Sequence, residues 1–187
     1  MADSPVERVV LVGFMCAGKS VVGELLARRL GWAFVDLDRL IEEREGRPVR
    51  EIFAREGEPA FRRIEAEVSD SVAVWARMVL APGGGWMGNA FRGELPVDGT
   101  VRVWLRVSAE EVVRRGAAAP GARPLLAGPD PLSAARRLLA EREPSYSLAD
   151  LSVDTEGRTP VEVADAVERA VLGARGGVGG RGRVIGG

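Results

Sequence analysis

One short glycine-containing segment constrains the fold of this chain more than any other feature. Gly13-Phe14-Met15-Cys16-Ala17-Gly18-Lys19-Ser20 fits the pattern G-x-x-x-x-G-K-S. It follows a short apolar run at 9–12 and precedes a helical pattern at 19–30. This strand–loop–helix context predicts a phosphate-binding loop, because the backbone N–H groups of such a loop and the amino end of the helix attract phosphate oxygens.

Two side chains at the end of this loop carry the predicted chemistry. Lys19 is the only lysine among 26 basic residues, and it would reach the outer phosphates of a nucleoside triphosphate, while Ser20 would ligate Mg²⁺. A glycine turn that binds no ligand is the alternative, and the complete motif in its strand–helix context disfavours it. The residues predicted to bind the nucleotide here are Gly13, Cys16, Ala17, Gly18, Lys19, Ser20 and Val21.

The composition excludes several other kinds of site. The 187 residues have a net charge of −1, from 26 basic and 27 acidic side chains, so no overall field attracts nucleic acid. With no histidine and one cysteine, histidine-dependent triads, Cys/His zinc sites and an internal disulfide are excluded. No apolar stretch is long enough to cross a membrane, and residues 1–7 do not resemble a signal peptide. We therefore expect a cytoplasmic protein.

Strand and helix patterns alternate along the chain. Short apolar runs predict strands, and longer segments with apolar residues every three or four positions predict helices. Strands are expected at 9–12, 33–35, 78–81, 101–107 and 151–153, and helices at 19–30, 39–45, 49–56, 59–75, 108–115, 131–143 and 160–172. The alternation predicts a three-layer α/β/α fold with a five-stranded parallel sheet, whose ligands bind beyond the carboxyl ends of the strands.

The rest of the chain limits what the nucleotide is used for. A GTPase would need a second lysine in the segment that reads its base, and a motor or helicase would normally be larger. Two aspartates after the second predicted strand, with several arginines at the ligand edge, fit a kinase that acts on a small anionic acceptor.

Five separated motifs resemble shikimate kinase over about residues 8–172. They are the phosphate loop, F-V-D-L-D at 34–38, the segment from G-R-P at 46–48 to G-E-P-A-F-R-R-I-E at 57–65, G-G-G at 83–85, and R-P-L-L at 123–126 with R-E-P-S-Y at 142–146. The resemblance implies a nucleoside monophosphate kinase-like P-loop architecture in one domain at 1–172. It also implies that ATP, with Mg²⁺, phosphorylates the 3-hydroxyl of shikimate on the route to chorismate and the aromatic amino acids.

The resemblance also implies roles for residues of an acceptor site on helices at about 38–75. Asp38 would accept a hydrogen bond from the reacting hydroxyl, as a positioner or a base, with a helix N-cap as the alternative. Asp36 would bind Mg²⁺, with a solvated strand end as the alternative. Arg62 and Arg142 would clamp the substrate carboxylate. Apolar spacing alone does not distinguish Arg62 from Arg63.

Further implied roles fall on loops and on the nucleotide side. Arg123 would close over the phosphates with a lid at about 116–124 and exclude water. Arg115 would stack near adenine, with Arg158 beside it. The three consecutive glycines lack a Cβ and would let backbone N–H groups approach the substrate, with a plain turn as the alternative. They are Gly83, Gly84 and Gly85.

Three positions depart from the family pattern. Cys16 stands where glycine is common, Val21 where threonine is usual, and Trp86 where a small residue is expected. The Trp86 ring would either reshape the acceptor pocket or pack under the loop at 82–99, and packing is favoured. This departure keeps open a kinase of another small hydroxy acid. A nucleotide-binding regulatory protein without catalysis is a second alternative.

The end of the chain differs in composition from the rest. Residues 173–187 contain eight glycines and resemble nothing in the family. They predict a flexible Gly/Arg tail, because such a segment buries too little apolar surface to offset the entropy of ordering. We expect a monomer that binds small molecules and neither nucleic acid nor membrane.

Overall fold

The structure, a computed structural model, describes residues 5–90, 98–117, 129–173 and, by their backbone, 183–185. Within these residues the parallel strands form one sheet in the order β2-β3-β1-β4-β5-β6. The strands are β1 Arg8–Val12, β2 Ala33–Asp36, β3 Met78–Ala81, β4 Thr100–Arg106, β5 Leu151–Asp154 and β6 Arg183–Ile185. The helices are α1 Lys19–Leu30, α2 Leu37–Glu45, α3 Val49–Val72, α4 Ala109–Ala117, α5 Pro131–Tyr146 and α6 Pro160–Gly173.

Helices cover both faces of the central strands. Every residue of β1 and β3 is buried, although the side chains of a strand alternate between the two faces of a sheet. Helix α1 packs against α6, and α4 packs against α5. The predicted three-layer α/β/α fold with parallel strands is therefore confirmed.

A sixth strand adds to the five that were predicted. Residues Arg183–Ile185 pair in parallel with Leu151–Val153 of β5. They lie within the segment 173–187, whose composition predicts a flexible tail, and this pairing was not predicted. The physical reason is that the open edge of a strand offers backbone donors and acceptors, which pair with another segment whatever its glycine content.

Helix α3 joins two predicted helices, at 49–56 and 59–75, into one kinked element. Gly57 has φ 79° and ψ 173°, and Pro59 has no N–H to donate, so the helical hydrogen bonds are interrupted there. The element ends at Val72, one turn earlier than its apolar pattern predicts.

The buried face of α3 also differs from the predicted stripe. Trp75 was expected on that stripe but is 45% exposed beyond the end of the helix. Glu65 is fully buried, whereas the neighbouring Ile64 is only half-buried. As a consequence Arg62 and Glu65 line the main cavity, a space of about 1090 Å³ that the phosphate loop and residues 81–85 also line, and Arg63 lies on the exposed side.

Helix α2 begins at Leu37, earlier than predicted. Its N-cap is Asp36, whose carboxylate accepts a hydrogen bond from the Arg39 N–H at 3.3 Å. Asp38, for which capping was the alternative interpretation, lies in the first turn and lines the cavity. The cap therefore belongs to Asp36, and the Asp38 carboxylate is available to a ligand.

Candidate active site

The phosphate loop between β1 and α1 turns through three left-handed residues. Gly13, Cys16 and Gly18 have φ values of 142°, 60° and 92°, a region that glycine enters without steric cost. A Cβ on Gly13 would lie 2.5 Å from the carbonyl oxygen of Leu105, so only glycine fits there. The positive φ of Cys16 also gives a physical reason for the glycine that is common at this position in the family it resembles, since a left-handed non-glycine residue carries about 1–2 kcal/mol of strain.

Lys19 is positioned by the loop that precedes it. Its Nζ donates hydrogen bonds to the carbonyl oxygens of Gly13, at 2.9 Å, and Phe14, at 3.0 Å. The side chain lines the main cavity, so its positive charge is held at the edge of the space that the loop encloses. A phosphate entering the loop would meet this charge together with the amino end of α1.

Ser20 and Asp36 meet across the start of α1 and the end of β2. The Ser20 hydroxyl donates to Asp36 Oδ2 at 2.6 Å, and both residues line the main cavity. A hydroxyl and a carboxylate at this spacing are oxygen donors of the kind that Mg²⁺ prefers, with phosphate and water completing the coordination. The pair therefore fits the metal role that the sequence analysis assigns to it.

Asp38 and Glu65 bring two carboxylates to one point beside Gly83. A Cβ on Gly83 would lie 3.0 Å from Asp38 Oδ1 and 3.1 Å from Glu65 Oε1. Within the described part of the chain, neither oxygen has a hydrogen-bond partner, and both are buried. Burial raises the pKa of each carboxyl. The negative charge of Asp36 raises the pKa of Asp38 further, and the negative charge of Asp38 raises the pKa of Glu65 further. Two unsatisfied acceptors at one point suit the hydroxyl groups of a ligand.

Arg62 is held by two glutamates of its own helix. Its Nη1 donates to Glu65 Oε2 at 2.7 Å, and its Nε and Nη2 donate to Glu58 Oε1 at 3.2 and 3.0 Å. The side chain of Glu65 is fully buried and that of Glu58 is 62% exposed. The guanidinium thus has one fixed partner inside the protein and one partner that solvent or a ligand can displace.

Arg142 approaches the same space from α5. A Cβ on Gly84 would lie 3.1 Å from its Nη1, and its Cζ lies 5.6 Å from the centre of the Phe14 ring. One turn further along α5, the Tyr146 hydroxyl donates to the Gly84 carbonyl oxygen. Burial raises the pKa of Tyr146 to about 12, so the phenol stays protonated and keeps this bond. The bond ties α5 to the glycine triplet.

The three consecutive glycines therefore face different functional side chains. Gly83 adjoins Asp38, Gly84 adjoins Arg142, and the position of a Cβ on Gly85 is occupied by the Arg62 guanidinium. These approaches need the absence of Cβ rather than a special backbone conformation, because no φ of the triplet is positive. Two carboxylates, those of Asp38 and Glu65, and two guanidinium groups thus converge on the triplet.

Arg115 connects the phosphate loop to the end of β5. Its guanidinium donates to the Cys16 carbonyl oxygen at 3.0 Å and to the Thr155 carbonyl oxygen at 2.8 Å. Glu111 accepts from its Nε at 2.6 Å, and hydrogen bonds from Arg114 and Arg115 lower the pKa of Glu111 to about 2. Arg115 is therefore a fixed positive group between the main cavity and a second, smaller cavity at the ligand edge.

These cavities share the phosphate loop. The main one has a volume of about 1090 Å³ and reaches from Lys19 to the aromatic rings of Phe53 and Phe61 on α3. The second, of about 450 Å³, lies beyond Arg115 between α1 and the turn that carries Arg158. The first is large enough for an acceptor and phosphates, and the second lies where the family resemblance implies adenine.

Comparison with known proteins identifies the family. A family model described as shikimate kinase matches residues 15–171. The shikimate kinase of Moorella thermoacetica is 45% identical over 163 residues, which cover 87% of this chain and 93% of that protein. The chain belongs to the shikimate kinase family. The shikimate kinase of Mycobacterium avium is 46% identical over 154 residues, covering 82% of this chain and 86% of its own length.

Solved structures of shikimate kinases share the architecture. The enzyme from Acinetobacter baumannii, solved in complex with shikimate, has a TM-score of 0.84 at 32% identity, covering 92% of this chain and 97% of its own. A gluconokinase from Sinorhizobium meliloti, at 18% identity and a TM-score of 0.59, shares the fold alone. Among the described residues, no helix is both long and apolar enough to cross a membrane.

The fold of this chain brings most of the predicted site residues together. The main cavity is lined by Cys16, Gly18, Lys19, Ser20, Val21, Asp36, Asp38, Arg62, Gly83, Gly84, Gly85, Arg115 and Arg142. Ala17 and Arg158 line the second cavity. Trp86 is fully buried and lines neither cavity, so packing, the favoured interpretation of this departure, agrees with its position. Arg123 and residues 118–124 of the expected lid lie outside the described residues.

Four residues at the site were not predicted. Glu58 and Glu65 hold Arg62, Asn89 donates to Glu65, and Tyr146 holds the triplet. Glu65 had a detectable signal, because it falls between apolar residues at 61 and 68 on the inward side of a helix, where a charge is costly unless it is paired. Glu58 precedes Arg62 by four residues, the spacing of a helical ion pair, and both Glu58 and Tyr146 stand within the family motifs without an assigned role. Asn89 had no signal, because its partners are remote in sequence.

Proposed function

We propose that this protein transfers the γ-phosphoryl group of ATP to the 3-hydroxyl of shikimate, giving shikimate 3-phosphate and ADP. The observation that carries the proposal is that one cavity is lined by Lys19 of the phosphate loop, by the Asp38 carboxylate and by two guanidinium groups, those of Arg62 and Arg142. A hydroxy acid placed there meets a carboxylate for its hydroxyl and cations for its acid group.

The nucleotide side is built from the phosphate loop and the second cavity. Loop N–H groups and Lys19 would bind the phosphates, with the base in the cavity beyond Arg115 and beside Arg158. Ser20 and Asp36 would hold Mg²⁺, which when bound neutralises charge on the phosphates. The hydrogen bond between these two residues orients their oxygens before any ligand enters.

The acceptor side provides orientation and a proton acceptor. Asp38 would accept the hydrogen bond of the 3-hydroxyl, and its raised pKa suits it to take up the proton that this hydroxyl loses. As the oxygen–phosphorus bond to the acceptor forms, the bond between the γ-phosphorus and the bridging oxygen of ATP breaks, and ADP keeps that electron pair. Lys19 would stabilise the charge that develops on the transferred group.

Two arginines on different helices would recognise the carboxylate of shikimate. Arg62 from α3 and Arg142 from α5 converge above the glycine triplet, so they would approach the acid group from two directions. Arg123 would add a third positive charge over the phosphates when the lid closes, as the family resemblance implies. Its position remains a prediction, because it lies outside the described residues.

The proposal is tested by an acceptor panel. ADP release is measured with shikimate and with other cyclic and open-chain hydroxy acids, and the position of the new phosphate ester is determined by phosphorus NMR. We expect shikimate to have the highest kcat/KM and the product to carry phosphate on the 3-oxygen. A better acceptor in the panel would favour the alternative of another hydroxy acid, and no ADP release with any acceptor would favour the regulatory alternative.

Trp86 is buried and is not among the residues that line either cavity, which supports shikimate over another hydroxy acid as the acceptor. A monomeric state and a cytoplasmic location remain predictions. Light scattering on the eluting protein checks the first, and fractionation of the source cells checks the second.

A further inference from the structure

Two side chains that follow the glycine triplet are bonded to helix α3 inside the protein. Trp86 donates from Nε1 to the Ser69 hydroxyl at 3.1 Å, and both side chains are fully buried. Asn89 donates from Nδ2 to the Arg62 carbonyl oxygen at 2.8 Å and to Glu65 Oε2 at 3.0 Å. We call Ser69, Trp86 and Asn89 the buried bridge.

The bridge ends on the residues that hold the acid-binding arginine. Arg62, Glu65 and Ser69 are spaced by three and four residues, so they follow one side of α3. Glu65 Oε2 accepts from both Arg62 Nη1 and Asn89 Nδ2. Asn89 therefore holds the Glu65 carboxylate, which in turn holds the Arg62 guanidinium. Asn89 also donates to the backbone carbonyl oxygen of Arg62 itself.

The bridge also sets the separation between α3 and the triplet. Gly85 directly precedes Trp86, and the Arg62 guanidinium fills the space where a Cβ on Gly85 would lie. A small movement of the segment 85–89 relative to α3 would change this contact directly. Donors and acceptors that are buried together resist such movement, because separating them leaves polar groups without partners away from water.

We infer that Asn89 and Trp86 are positioning residues for recognition of the substrate carboxylate, acting through Glu65 and the helix α3 backbone on Arg62. The inference rests on the proposed function. Neither residue lines the main cavity, so both act without touching the ligand. Because Arg62 and the phosphate loop lie on different elements, the inferred effect falls on the acid substrate and leaves the ATP site unchanged.

The test compares three variants with a matched control. Asn89→Leu keeps the approximate side-chain size without the donors, Trp86→Phe removes the indole N–H, and Ser69→Ala removes its acceptor. Ser152→Ala is the control, because Ser152 is a buried serine on β5 that lines neither cavity. For each protein, KM for shikimate, KM for ATP, kcat and melting temperature are measured.

A second readout separates positioning from general loosening. Shikimate methyl ester lacks the carboxylate charge, so the ratio of kcat/KM for acid over ester reports what the arginines recognise. We expect Asn89→Leu to raise KM for shikimate about tenfold and to lower the acid-to-ester ratio similarly, with KM for ATP changed less than about twofold. Trp86→Phe and Ser69→Ala should shift the same two quantities by about threefold, and the control should shift neither.

The double variant with Arg62→Ala tests whether Asn89 acts on substrate recognition through Arg62. There Asn89→Leu should leave the acid-to-ester ratio unchanged, since the group that it positions is gone. An unchanged ratio in Asn89→Leu alone, an equal rise in both KM values, or a further fall in the Arg62→Ala background would overturn the inference. If Asn89→Leu does not fold, Asn89→Ser carries the same expectations. If the wild-type protein does not phosphorylate shikimate, the proposed function and this inference both fail, whereas normal wild-type turnover with an unchanged ratio defeats the inference alone.

Discussion

The Arg62 guanidinium lies where a side chain on Gly85 would begin. A Cβ on Gly85 would lie 2.7 Å from Arg62 Cζ and 2.9 Å from Nη1, and it would overlap Nη2. These separations are far inside van der Waals contact, and Arg62 is held on its other sides by Glu65 and Glu58. The glycine at 85 is thus a requirement of the arginine position, while the backbone of Gly85 itself has an ordinary conformation, with φ −97°.

A methyl group at Gly85 should therefore impair recognition of the acid. We expect Gly85→Ala to raise KM for shikimate by a factor that corresponds to about 1.5–3 kcal/mol, the cost of a lost charged hydrogen bond, with KM for ATP unchanged. Gly88→Ala is the matched control, because a Cβ there would meet only the Ser145 hydroxyl at 3.6 Å. Steady-state kinetics with both substrates varied measures the effect, and equal values for the two variants would contradict the steric argument.

Loss of the Lys19 charge should abolish most turnover without unfolding the chain. The ammonium bonds two loop carbonyl oxygens at the edge of the main cavity, so we expect Lys19→Ala to keep its melting temperature within a few degrees. Its kcat should fall by about 10²–10³-fold, the usual effect of removing a group that stabilises developing charge. Arg28→Ala on the exposed side of the same helix is the control. Unaltered kcat in folded Lys19→Ala would refute the phosphate-loop assignment.

Removing the buried charge of Asp38 should stabilise the fold while it removes activity. Burial raises the pKa of Asp38, so folding favours its protonated form, and the stability linked to this group is present below about pH 4 and lost as pH rises through the raised pKa. We expect Asp38→Asn to be more stable than wild type by about 1–3 kcal/mol at pH 8, and by much less at pH 4. Thermal unfolding of both proteins at pH 4 and pH 8, without nucleotide or divalent cation, measures this difference. An equal gain in stability at the two pH values would show that the Asp38 charge is not its cause.

The exposed partner of Arg62 should compete with the substrate. Glu58 accepts two hydrogen bonds from the guanidinium and is 62% exposed, so its pairing is worth about 0.2–1 kcal/mol. We expect Glu58→Gln to lower KM for shikimate by a factor of up to about five. Glu51→Gln, which alters the comparable pair with Arg55 on the same helix, should have no effect. A higher KM for shikimate in Glu58→Gln would instead show that Glu58 helps to orient Arg62 for the ligand.

The position of the phosphate loop between β1 and α1 could be predicted from the sequence. Most of its shape comes from left-handed residues and hydrogen bonds within eight consecutive positions, and Lys19 bonds the carbonyl oxygens of that same loop. Its contacts with Leu105 and Arg115 come from elsewhere in the chain. The parallel sheet followed equally well from the alternation of apolar patterns. The turn of the loop and the apolar pattern of each strand and helix are local, so neighbouring residues contain the information that specifies them.

The acceptor site could be predicted only in part. Family motifs pointed to Arg62, but its spacing did not separate it from Arg63, because that choice depends on which side of α3 packs against the segment 85–89. The ends of α2 and α3 and the pairing of β6 were missed for a related reason: a cap, a kink and an edge contact each involve backbone groups whose partners the apolar pattern does not encode.

By itself, the sequence determined that this chain forms a P-loop fold with one phosphate-binding lysine and a set of residues resembling those of shikimate kinases. Only the tertiary structure decided that Glu65 is buried against Arg62, that each glycine of the triplet faces a different functional side chain, and that Trp86 belongs to the interior rather than to the pocket. The physical reason is that side-chain direction and burial depend on contacts between elements that are far apart in sequence, and these contacts exist only once the helices have packed on the sheet.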